Sequence, residues 1–150
     1  FITYGVKDAD EHVLGVLADK TAGMVRATIS NASHLSQSLL LATYESEQFT
    51  QWKDEKYQSL KARFDAVRQV FADHPEYADS YSPLPFNSGY FLCVRPHGVN
   101  AEDVRRILLE RFDTGVIATG GLIRIAFSSA PCAVIPDLFA HLHEACKLAQ

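Results

Sequence analysis

The sequence predicts an α/β chain whose larger part is an α+β domain: a small mixed or antiparallel sheet of about three strands covered by helices, preceded by a long helix and a strand-helix segment. Three observations predict it. In Gly120–Ser129 the residues Ile123, Ile125 and Phe127 alternate with Leu122, Arg124, Ala126 and Ser128, the two-residue period of a strand. Tyr90–Val94 is a continuous apolar run of strand length, which reads as a central strand. Between and around these lie segments with helical periodicity, so the order from residue 34 is helix, strand, helix, strand, strand, helix.

Taken in order, Phe1–Val6 is rich in β-formers and reads as a strand. Asp8 or Asp10 can cap a helix in which Val13, Leu14, Leu17, Thr21 and Met24 share one face, which is expected to pack. A small polar interval follows Arg26, and Ser33 can cap the next helix. His34 to Phe71 reads as helix in two parts. The first carries Leu35, Leu39, Leu40 and Leu41; the second carries the 3,4 seam Tyr57, Leu60, Phe64, Val67 and Phe71, with Arg63 and Arg68 in water. His74-Pro75 stops that helix, and Ser82-Pro83-Leu84-Pro85 is a rigid loop unfit for a central strand. Asn100 caps a helix with Val104, Ile107, Leu108 and Phe112 inward. Gly115–Thr119, the Gly120-Gly121 turn and Leu122–Ser128 form an antiparallel pair, and a last helix turns Leu138, Phe139, Leu142, Ala145 and Cys146 to the sheet.

With 150 residues the chain suits one domain, or one small domain plus a piece of another. Phe1 opens directly on strand-like sequence, which reads as a fragment, with residues 1–45 as the end of one domain and 46–150 as a second. A net charge of -4 with no basic stripe argues against a nucleic-acid or anionic-membrane partner. Cys93, Cys132 and Cys146 are odd in number and lack C-x-x-C spacing, which suits a reducing cytoplasm better than a disulfide framework. No apolar run has the length of a membrane span, and no charged-then-apolar leader occurs.

Few motifs point to chemistry. On a helix His141 and His143 lie about 200 degrees apart, and His143 with Cys146 makes only two ligands, so no metal site is expected. Ala118–Gly121 lacks the frame of a phosphate loop, and no serine sits in G-x-S-x-G. Arg124 stands out. A strand arginine with no acidic neighbour in its own segment either covers core with its stem and reaches water, or grips an anion with its planar fork. Arg26, at a helix end, has the same two readings.

Four segments in order, Phe1-Ile2-Thr3-Tyr4-Gly5, Val25–Asn31, Asn87–Phe91 and Leu122–Ala126, together with the long helix between them, resemble the C-terminal part of a fold-type I, pyridoxal-phosphate-dependent aminotransferase of class I/II. The resemblance runs over essentially the whole chain. It implies that Arg124 binds the substrate α-carboxylate. It implies that Arg26 reaches, in some members, across a homodimer interface toward the substrate side chain, and that Ser30 and Asn31 lie near the neighbouring cofactor's phosphate. Substrates would be an amino acid and a 2-oxo acid, with pyridoxal 5'-phosphate as cofactor. The Schiff-base lysine and a phosphate-binding arginine of that class lie upstream of the segment matching Phe1–Gly5, so the fragment alone is expected neither to hold the cofactor covalently nor to turn over. The rival reading is a free-standing, non-catalytic module that binds an amino acid or a partner chain.

Overall fold

The computed structural model describes residues 2–87 and 89–150; Phe1, with which the expected opening strand begins, and Ser88, within the Asn87–Phe91 segment, lie outside the described residues. The chain forms two compact units, one reaching to Phe49 and one running Thr50–Gln150. No helix among the described residues is long and apolar enough to cross a membrane.

The first unit is two helices and a tether. Residues 2–6 form no strand, contrary to expectation, because no strand among the described residues lies beside them to pair their backbone groups. The Tyr4 hydroxyl instead donates to the Leu17 carbonyl at 3.2 Å and meets the Thr21 hydroxyl, laying the segment along α1 (Glu11–Thr28). Of the two candidate caps Asp10 is the one used, its carboxylate accepting from the Val13 N–H at 2.8 Å. Ser33 caps α2 (His34–Glu45) through the Ser36 N–H. Neither helix buries a residue, so the expected packing of Val13, Leu14 and Met24 does not occur.

The second unit begins in α3 (Phe49–Asp73), where the seam takes effect late: Tyr57 is 53% exposed, whereas Val67 and Val70 are buried. Pro75 ends the helix in a 3-10 turn, as a residue without an N–H should. The sheet has four strands rather than about three, in the order β1-β2-β4-β3: β1 (Tyr81–Pro83), β2 (Leu92–Pro96), β3 (Ile117–Thr119) and β4 (Leu122–Ile125). The extra strand includes Pro83, and it lies at the edge, where a missing N–H costs no ladder bond. Every pairing is antiparallel.

One sheet face is covered and the other is not. Leu92, Val94, Ile123 and Ile125 join Val104 and Leu108 of α4 (Ala101–Phe112) and Phe139 and Leu142 of α5 (Ile135–Leu148) in one core. Phe71 connects that core to α5, its ring 5.0 Å from Phe139, and Phe86 joins Phe64 and Phe127 edge-on. Asn100 caps α4 by accepting from the Glu102 N–H. Asp113, at φ 47°, ends it in the left-handed conformation common to such caps. No described side-chain N or O is buried without a partner. Strand alternation places Cys93, Arg95, Leu122 and Arg124 on the opposite, uncovered face, and Phe91, immediately before β2, lies against Arg124 there.

Candidate functional site

Arg124 sits at the centre of the uncovered face. Its β4 position pairs with Cys93 on β2 and with Ile117 on β3, so ladders on both sides hold its backbone. The flanking Ile123 and Ile125 point into the core and anchor the strand. Arg124 is half-buried, and among the described residues no carboxylate forms an ion pair with its guanidinium. Among the described residues the guanidinium lies over the Phe91 ring, whose centroid is 4.7 Å from the guanidinium carbon. A rigid strand thus presents a cation whose N–H donors are unspent, an arrangement suited to a planar anion.

Beside it is a depression of about 560 Å³ lined by Leu84, Pro85, Phe86, Asn87, Phe91, Leu92 and Cys93. None of these side chains is charged. Arg63 of α3 donates its Nη1 to the Ser128 carbonyl, just beyond β4. It is therefore not simply in water, as the helical pattern suggested, because the chain leaving β4 passes close to α3 and offers a carbonyl without a ladder partner.

In the first unit the structure brings two of the expected residues together. Arg26 Nη1 donates to Ser30 Oγ at 2.8 Å, one helical turn on, at the end of α1. Ser30 has a φ of 70°, which turns the chain sharply before Asn31, whose N–H donates to the Ile29 carbonyl at 2.8 Å. All three side chains are exposed. Among the described residues Arg26 and Ser30 thus touch each other through their side chains, while Asn31 takes part only through its backbone.

The histidines of α5 are engaged individually. His143 Nδ1 shares a 2.8 Å hydrogen bond with the buried Ser80 hydroxyl, and its ring stacks on Tyr77 at 4.9 Å. His141 stacks on Phe112 at 4.6 Å. Burial pushes the Cys146 thiol up to about 11, so it remains protonated and unreactive at neutral pH. These groups belong to the packing between α5 and its neighbours.

Two residues escaped the sequence reading, Phe91 and Arg63. The continuous apolar run Tyr90–Val94 concealed Phe91, since a run without alternation does not say which face is covered. The signal lay in Arg124 itself: a strand cation on one face implies that its diagonal neighbours share that face.

No protein-family model matches the chain, and no curated protein matches it. Among solved structures it is similar to an aminotransferase from Anaerococcus prevotii DSM 20548, with a TM-score of 0.72 and 18% identity, the match covering 92% of this chain and 33% of that one. The chain therefore spans about a third of the length of that aminotransferase, and over this span the two share a fold.

Proposed function

We propose that the chain is the C-terminal part of a pyridoxal-phosphate-dependent aminotransferase of class I/II, in which Arg124 binds the α-carboxylate of an amino acid or 2-oxo acid. The observation that carries this is the half-buried, strand-borne Arg124, whose guanidinium has no ion-pair partner among the described residues. The shared fold supports it. A fork partly shielded from water gains more from a bidentate carboxylate than a fully solvated one. Held at both carboxylate oxygens, the substrate loses rotation about its own axis, and its Cα–H bond is presented in one direction.

Ser30 and Asn31 supply hydroxyl and amide donors to the cofactor phosphate, and Arg26 orients the Ser30 hydroxyl or turns to an acidic substrate side chain. Pyridoxal phosphate, when bound, supplies the electron sink for the transfer. In this reading the parent is a cytoplasmic homodimer, and the piece described here does not turn over alone.

The test is Arg124→Ala in the full-length protein. Loss of a desolvated fork costs on the order of 2 to 5 kcal/mol, a drop of roughly thirty- to several-thousand-fold in kcat/KM. Arg124→Lys keeps the charge without the fork and should recover only part of it. A loss below about threefold removes Arg124 from the site.

A further inference from the structure

The support beneath Arg124 differs from that of Arg63 and Arg105, and its ring contact is closer than the one Arg68 makes with Phe64, 4.7 Å against 5.9 Å. Arg63 spends a donor on the Ser128 carbonyl, and Arg105 spends Nε and Nη2 on the Glu102 carboxylate. Arg124 lies over the Phe91 ring instead. The register explains how: Cys93 pairs with Arg124, so Phe91, two residues earlier on the same face, reaches it along the diagonal of the antiparallel pair. Phe91 is 49% exposed, while its neighbour Leu92 is 1% exposed. The ring contributes little to the core and is available for another purpose.

The physics of the two kinds of support decides what that purpose is. An ion pair or a carbonyl bond restrains a guanidinium by occupying its N–H groups, which are then lost to a ligand. A ring face restrains it through attraction between the cation and the π-electrons and occupies none. All five donors stay available for a carboxylate, and the side chain still gives up less freedom when the ligand arrives. Phe91 also lines the uncharged depression next to Arg124, so no charged side chain of that lining competes for a carboxylate meeting the fork there.

We infer that Phe91 is a positioning residue for Arg124: its ring holds the guanidinium over the uncovered sheet face with its donors unspent, ready for a carboxylate. This rests on the reading of Arg124 as the carboxylate anchor. Any large apolar side chain could fill the space, but only a ring can restrain the cation in this way.

The experiment is a titration of the full-length protein with propionate, a plain carboxylate, followed by ligand-observed NMR. Wild type is compared with F91L, F91W, R124A and the F91L/R124A double variant. F91L should weaken binding by roughly two- to thirty-fold, the range of a cation-π contact. F91W should bind within about twofold of wild type, and F91L should add nothing in the R124A background. F91L binding like wild type, with R124A impaired, overturns the role of Phe91 and leaves Arg124 as the anchor. R124A binding like wild type, or wild type not binding propionate, overturns the anchor reading and this inference with it. If F91L fails to fold, F91Q provides the same comparison at an exposed position, and wild-type-like binding by F91Q overturns the inference equally.

Discussion

The first 49 residues and the rest of the chain both carry amphipathic helices, yet only the second unit turns the pattern into a core. Leu39 on α2 is 61% exposed, whereas Phe139 on α5 is fully buried. Both are apolar residues on capped or proline-started helices of similar length. The difference lies in what faces them. Stabilisation follows the apolar area removed from water, and α5 has a sheet and two helices opposite it, while no described residue of α2 is buried. Caps and a tyrosine tether define helices in the first unit; packing against strands defines them in the second.

The largest test of that contrast is Phe139→Ala. Removing a ring packed against Phe71 should cost about 3 to 5 kcal/mol and lower the urea midpoint of the second unit sharply. A loss below about 1 kcal/mol would mean that this core is looser than its burial implies.

A pH experiment sharpens the same point. Burial raises the Cys146 thiol to about 11 and pushes the Tyr81 phenol well above its ordinary range. The unfolded chain releases both protons earlier, so stability is full below about pH 9 and falls as pH rises toward 11, by up to roughly 1.4 kcal/mol per pH unit for the thiol alone. Unfolding midpoints measured at intervals between pH 7 and 10 should show this decline, and Cys146→Ala should flatten it in the range where Tyr81 has not yet begun to titrate.

The smallest expected effect is Leu41→Ala on α2. A leucine that is 58% exposed has little buried apolar area to lose, so the replacement should change stability by less than about 0.5 kcal/mol, with helicity unchanged or slightly raised because alanine favours helix. A loss near that of Phe139→Ala would show that α2 has a buried partner in solution and would remove the contrast between the two units.

Much of this was readable in the residues. Asn100, Ser33 and Pro75 marked helix ends by local hydrogen-bonding chemistry, which needs no distant partner. The alternation in Leu122–Ile125 marked a strand with Arg124 opposite the core. What was not readable depended on neighbours far along the chain. Tyr81–Pro83 became a strand because Val94–Pro96 lay beside it, and Arg63 found Ser128, 65 residues away. Residues 2–6 have the composition of a strand and, among the described residues, no strand next to them.

By itself, the sequence determined the class of fold, several helix ends and the presence of one cation on a well-anchored strand, because caps, prolines and periodicity act over a few residues. Only the tertiary structure decided which sheet face is open, that Phe91 lies under Arg124, and that α1 and α2 bury nothing. Those outcomes depend on which surfaces meet, and apolar area is lost from water only where a second surface arrives to cover it.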